Sequence, residues 1–190
     1  MPSFTLLIFI FSDFQVISAQ QLPRPKDSNG REIIDKSVID PFVEVSVHVP
    51  DWTHSPFLPA EPSAGAGAEY SAPTTSATAT ALAATSARTV TCRTGVVKNN
   101  GFNPVWEQAL CLPFDLVGDM RELVFVRFAV RQEDGGDEPL AVYCVSLGSL
   151  NAGFRHLPLH DAQLSQYLYT TLFVKIDVQE VVDAPPARRG

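Results

Sequence analysis

The chain has 190 residues, of which 45% are hydrophobic, and its formal net charge is −7 at pH 7. This length and composition suffice for one domain with a sizeable core. The acidic balance argues against non-specific binding of nucleic acid and gives no general attraction to an anionic membrane, so any membrane contact has to be local or bridged by a cation.

The N-terminus is apolar from Phe4 to Phe11 and leads into a strand-like segment, residues 14–19. The run is too short to span a bilayer, which takes about 20 residues. It resembles the apolar part of a signal peptide, but no Lys or Arg precedes it, and a cut near Ser18 and Ala19 would fall within the strand. The alternatives are secretion, a strand that begins early, and a start that is not the natural one.

Alternation of apolar and polar residues predicts the strands that follow. In residues 42–49 the valines Val43, Val45, Val47 and Val49 share one parity, as expected for a strand with one buried face. Residues 93–114 read as two strands joined by a sharply turned loop at 99–104, rich in Asn and Gly. Further strands are predicted over 89–97, 123–130, 140–146 and 172–178, with one helical turn over 147–151.

Residues 53–88 consist mainly of Ala, Ser, Thr, Pro and Gly. Such a segment buries too little surface to offset its ordering entropy, so we predict a disordered insertion between two strands. Many short strands without an amphipathic helix predict an all-β fold, an antiparallel β-sandwich of about eight strands. The predicted organisation is an N-terminal extension (1–13), a sandwich domain (14–180) that contains the insertion (53–88), and a flexible tail (181–190).

Motifs for catalysis and for structural metals are missing from the sequence. It contains no GxSxG, no phosphate-cradling glycine loop, no HExxH and no CxxC. His156 and His160 have the spacing of helical zinc ligands, but Pro158 between them favours an extended backbone. The cysteines Cys92, Cys111 and Cys144 lie far apart in predicted strands, so we interpret them as reduced core residues, which favours a reducing, cytoplasmic compartment. We predict no catalytic site in this chain.

Three loops are rich in oxygen-bearing residues: 20–41, 98–104 and 131–139. If the strands run up and down, these loops emerge at one end of the sandwich. Calcium takes about six to eight oxygen ligands, which converging loops supply without regular spacing. The alternative is that these residues are simply solvated. The residues that would come together are Asp35, Asp40, Asn99, Asn100, Asp134 and Asp137.

Five motifs, taken in order, resemble those of one known family. They are 16–23 (VISAQQLP), 38–45 (VIDPFVEV), 99–106 (NNGFNPVW), 123–128 (LVFVRF), and 153–157 (GFRHL) followed by 171–176 (TLFVKI). Together they resemble the C2 domain that ends phosphoinositide-specific phospholipase C of the delta-like or fungal type. The resemblance covers residues 14–178 apart from the insertion and the loop lengths.

This resemblance implies an eight-stranded sandwich whose loops bind calcium and engage phospholipid, while hydrolysis takes place in a separate barrel that precedes it. Asp40 matches a calcium ligand of the family, and Asn99 or Asn100 matches the asparagine of the second loop. In the third loop Gln132 replaces the first expected aspartate and Asp134 matches the second. The loss of one carboxylate predicts calcium binding that is weak or absent.

Three functional hypotheses follow from these observations. The first is a phospholipid-docking module of a phosphoinositide-specific phospholipase C in signal transduction and lipid metabolism. Such a module would be peripheral on a membrane and packed against a catalytic barrel that this chain lacks. The second is a calcium-independent protein-interaction or scaffold domain, and the third a secreted lipid-binding protein.

Overall fold

The computed structural model of the protein describes residues 7–25, 39–51, 87–117 and 119–182. Almost all of the predicted insertion and the end of the tail lie outside these ranges. Within the described residues, the regular elements are two short 3-10 turns, Arg121–Leu123 and Leu147–Ser149, and eight strands. The strands are β1 (Leu7–Gln20), β2 (Pro41–Val49), β3 (Arg88–Arg93), β4 (Val105–Val117), β5 (Phe125–Gln132), β6 (Ala141–Ser146), β7 (Gly153–His160) and β8 (Gln166–Val182).

The strands form one antiparallel sheet that folds into two layers. Their order is β3-β2-β5-β6-β7-β8-β1-β4. β6 and β7 join the two halves through the pair Val142 and His160, so β3-β2-β5-β6 and β7-β8-β1-β4 face each other. At the opposite margin β3 lies beside β4. The predicted eight-stranded antiparallel sandwich is confirmed.

The core lies between the two layers and consists of the side chains that the alternating pattern predicts to be buried. The four valines of β2 are buried, as are Val126, Phe128 and Val130 of β5. Phe14 of β1 meets Phe128 edge to face, with ring centroids 5.3 Å apart. This contact joins one layer to the other, and aromatic pairs of this geometry add to the stabilisation from area burial.

The first strand begins at Leu7 rather than at the predicted residue 14. It lies between β8 and β4, and both partners extend along nearly its whole length. Ile10 is completely buried and pairs with Phe114 of β4. From Leu7 onward the apolar N-terminal run is therefore a strand that begins early.

The predicted pair of strands within residues 93–114 is not a hairpin. β3 pairs with β2, whereas β4 pairs with β1 in the other layer, so their connection crosses the sandwich. β3 ends at Arg93 rather than at residue 97, although the N–H groups of Thr94 and Val97 still donate to the carbonyls of Val43 and Pro41 in β2. The last strand is longer than predicted, because β8 pairs with both β7 and β1.

The three cysteines carry free thiols, and none of them is fully buried. Cys92 is half-buried, while Cys111 and Cys144 are exposed. In β4 the alternation turns Leu110 and Leu112 into the core, so Cys111 faces outward. The prediction that the cysteines are core residues is therefore wrong for Cys111 and Cys144, whereas Cys92 is half-buried and packs against the core.

Candidate functional site at the loop end

The three predicted loops meet at one end of the sandwich, which we call the loop end. The N–H of Asn99 in the middle loop donates to Oδ1 of Asp40 at 2.7 Å. The N–H of Glu133 in the third loop donates to the carbonyl of Asp40 at 3.1 Å. The Nε1–H of Trp106 donates to the carbonyl of Pro41 at 3.3 Å. Asp40 thus accepts hydrogen bonds from both of the other loops. Asp35 lies outside the described residues.

Lys98 lies between the carboxylates of two loops. Its Nζ is 3.3 Å from Oδ2 of Asp40 and also contacts Oε2 of Glu133. The bond to Glu133, and then that to Asp40, raises the pKa of Lys98. The pKa of Asp40 is lowered, first by the Asn99 N–H and then by Lys98. The ammonium group of Lys98 therefore bridges the loop that carries Asp40 and the loop that carries Glu133.

Neither Lys98 nor Glu133 was identified from the sequence. The type of side chain alone points to acidic and amide residues as calcium ligands and gives no role to a lysine or to Glu133. The available signal was Lys98 directly before the two asparagines, in a loop already expected to approach Asp40. A basic residue at that position is a potential partner for the same carboxylates.

The middle loop owes its shape to its own amides and to Gly101. Asn99 has a φ of 57°, in the left-handed region that Asn tolerates. Oδ1 of Asn100 accepts from the N–H of Asn103 at 3.3 Å, and its Nδ2 donates to the carbonyl of Asn103 at 3.1 Å. A Cβ on Gly101 would lie 2.3 Å from Cβ of Ile39, so only glycine fits. The Asn100 amide therefore holds the turn.

The third loop presents Glu133 rather than Asp134 to the other loops. Asp134 is exposed, and Gln132 is half-buried at the end of β5. Within the ranges that the structure describes, no group of three or more His, Cys, Asp or Glu side chains is arranged to hold a metal ion. The assignments of Asp40, Asn99, Asn100 and Asp134 to calcium stay predictions.

A fourth segment, the β7–β8 hairpin at 161–165, lies at the same end. Oδ1 of Asp161 accepts from the N–H groups of Gln163 and Ser165, each at 2.9 Å. The hairpin and the third loop line one shallow cleft. Close by, Thr170 donates from its hydroxyl to the carbonyl of Gln21 at 2.7 Å, which fixes the start of β8 beside the end of β1.

Large apolar side chains project into solvent from the loop end. They come from the middle loop, the β7–β8 hairpin and the first residues of β8. The sequence analysis missed the last two groups, because isolated apolar residues in a polar segment carry no periodic signal. These side chains, with their exposed fractions, are Phe102 (62%), Leu164 (76%), Leu168 (86%) and Tyr169 (71%).

A second exposed aromatic group lies on the outer sheet face of β7 and β8. Phe154 stacks on Phe173 with centroids 5.9 Å apart, and His156 stacks on the same ring at 4.4 Å. Lys175 lies over Phe154, with its Nζ 6.0 Å from the ring centroid. His156 and His160 both belong to β7, so their backbone is extended, as Pro158 predicted.

Comparison with known proteins identifies relatives for this arrangement. The family model for the C2 domain matches residues 12–55 and 69–161. The "1-phosphatidylinositol 4,5-bisphosphate phosphodiesterase 1" of Saccharomyces cerevisiae is 27% identical over 164 residues, covering 86% of this chain and 15% of that protein. The "Inactive phospholipase C-like protein 2" of Mus musculus is 27% identical over 165 residues, covering 86% and 11%.

Among solved structures, that of L. pealei PLC21 is similar in fold, with a TM-score of 0.56 at 18% identity, over 93% of this chain and 16% of that chain. The chain thus spans about a sixth or less of the length of these relatives. No helix in the described part of the chain is long and apolar enough to cross a membrane.

Proposed function

Because the chain belongs to the C2 domain family and is related to the C2 domains of phosphoinositide-specific phospholipases C, we propose that it docks on phospholipid membranes through its loop end. The observation that carries this proposal is the group of exposed apolar side chains there: Phe102, Leu164, Leu168 and Tyr169. Full burial of one such side chain contributes about 1.5–3 kcal/mol. Two or three that enter the interfacial region together are enough to hold a domain reversibly on a bilayer.

The module acts within a phosphoinositide-specific phospholipase C, as a peripheral domain on the cytoplasmic face of a membrane. Hydrolysis of phosphatidylinositol 4,5-bisphosphate belongs to a catalytic barrel against which the module packs. The relatives support this context, since a C2 domain of this kind occurs in proteins named as phosphodiesterases and in one named as inactive. Calcium binding is weak or absent, because Lys98 already engages the carboxylates of Asp40 and Glu133.

Vesicle sedimentation tests the docking. The full chain is mixed with phosphatidylcholine/phosphatidylserine vesicles, either in CaCl2 or in EDTA. We expect it to sediment in both buffers. The double variant Leu168→Ser/Tyr169→Ser removes two apolar contacts and should bind at least about tenfold more weakly. Phe154→Ser removes an aromatic side chain that is 58% exposed on the sheet face, and this control should bind like the wild type.

A second candidate, a calcium-independent protein-interaction domain, is favoured by the aromatic face of Phe154, His156 and Phe173. The same experiment separates the two functions. If the protein sediments with vesicles in neither CaCl2 nor EDTA, the membrane-docking proposal is excluded and protein interaction is the remaining function. Loss of sedimentation in Phe154→Ser alone would move the lipid contact from the loop end to the sheet face.

A further inference from the structure

One ammonium group holds together loops that are far apart in the sequence. Lys98 comes from the middle loop, Asp40 precedes β2, and Glu133 follows β5. We propose that Lys98 is a built-in cation that takes the position of a divalent ion between these loops and keeps the loop end assembled without calcium.

Several oxygen atoms of this cluster already accept hydrogen bonds from the protein. Oδ1 of Asp40 accepts the N–H of Asn99, and its Oδ2 faces Lys98. The amide oxygen of Asn100 accepts the N–H of Asn103. Calcium requires about six to eight oxygen ligands and would have to displace the ammonium to reach two of them. Few ligands remain for it while Lys98 is in place.

Charge leads to the same conclusion. Two carboxylates and one ammonium leave a net charge of −1 on the cluster, whereas without the ammonium the charge is −2. A divalent ion that approaches the occupied cluster meets a like charge within a few ångströms, and this repulsion opposes binding. Removal of the lysine charge therefore weakens the link between the loops and at the same time strengthens the attraction of the cluster for a divalent ion.

The inference extends the proposed function to its regulation, since it makes the membrane-facing end independent of calcium. The role of Lys98 rests on the proposed membrane docking only for its effect on binding to vesicles. The binding of the ion and the stability of the loop end are measurable without lipid. Failure of this inference is therefore distinguishable from failure of membrane docking.

The test compares Lys98→Met with the wild type by calorimetric titration with CaCl2 and by the thermal midpoint of unfolding in CaCl2 and in EDTA. The wild type should give no binding heat and equal midpoints in both buffers. Lys98→Met should have a lower midpoint in EDTA, calcium should raise it, and titration should detect binding. Lys175→Met, which removes the ammonium over Phe154, is the matched control and should respond like the wild type.

Two further variants secure the assignment. Lys98→Arg keeps the charge and should remain insensitive to calcium. In Lys98→Met/Glu133→Gln one carboxylate is lost, so the gained calcium response should disappear. Calcium binding by the wild type with Lys98 in place would overturn the proposal. So would a Lys98→Met protein that folds with an unchanged midpoint and ignores calcium, whatever the vesicle experiment gives.

Discussion

Two buried serines differ in whether their hydroxyls are paired. Ser12 of β1 is completely buried between Ile10 and Phe14, and its hydroxyl has no hydrogen-bond partner among the described residues. Ser46 on β2 is also buried, with 4% of its surface exposed, but its hydroxyl lies 3.1 Å from Nε2 of His48. A buried, unpaired polar group costs about 1–3 kcal/mol.

We expect Ser12→Ala to raise the free energy of unfolding by about 1 kcal/mol, because it removes an unpaired hydroxyl from the core. The matched change Ser46→Ala breaks a hydrogen bond and should lower it by about 1 kcal/mol. Urea denaturation measures both. A decrease in Ser12→Ala as large as that in Ser46→Ala would show that the Ser12 hydroxyl is paired.

At the scale of the strands, one ion pair joins the two edge strands of the sheet. β3 and β4 are the outermost strands in the sheet order, and Arg88 of β3 forms a salt bridge with the buried Asp115 of β4. Its Nη2 also donates to the carbonyl of Asp115 at 3.2 Å. Burial lowers the pKa of Arg88. The pair thus brings together two strands that do not pair along their backbones.

Arg88→Met should destabilise the protein by about 3 kcal/mol at pH 7, because it leaves the buried carboxylate of Asp115 without its counter-ion. Urea unfolding at pH 7 measures this loss. Failure of Arg88→Met/Asp115→Leu to recover most of the lost stability would contradict the ion-pair explanation.

At the scale of the whole molecule, the long segment between β2 and β3 connects two residues, Val49 and Arg88, that pair directly in the sheet. β2 and β3 pair up to Val49 and Arg88, so the chain leaves and re-enters the sheet at one place. Loop closure costs little even for a long connection. The pairing of β2 with β3 is therefore compatible with a long connection between them.

Replacement of residues 51–86 by a short Gly-rich turn should leave the fold intact. Shortening the loop roughly tenfold should raise the free energy of unfolding by at most about 2 kcal/mol. Circular dichroism checks the β content, and urea denaturation measures the stability. Loss of cooperative unfolding would show that the segment supplies contacts to the sandwich, contrary to the predicted insertion.

The sequence by itself determined the strands of the core and the fold class. Alternation in β2 and β5 is a local property, since each side chain's face follows from its position along the strand. The approach of the middle loop to Asp40 was also predictable, because up-and-down strands bring alternate loops to one end. The turn at Asn100 and Gly101 was recognisable for the same local reason.

Only the tertiary structure decided which strands share a layer and which charges meet. β3 and β4 are consecutive but lie in opposite layers, because β3 pairs with β2 and β4 pairs with β1. Lys98 meets Asp40 and Glu133 across separations of 58 and 35 residues. A local pattern does not encode such a meeting, because it depends on how the sheet folds over on itself.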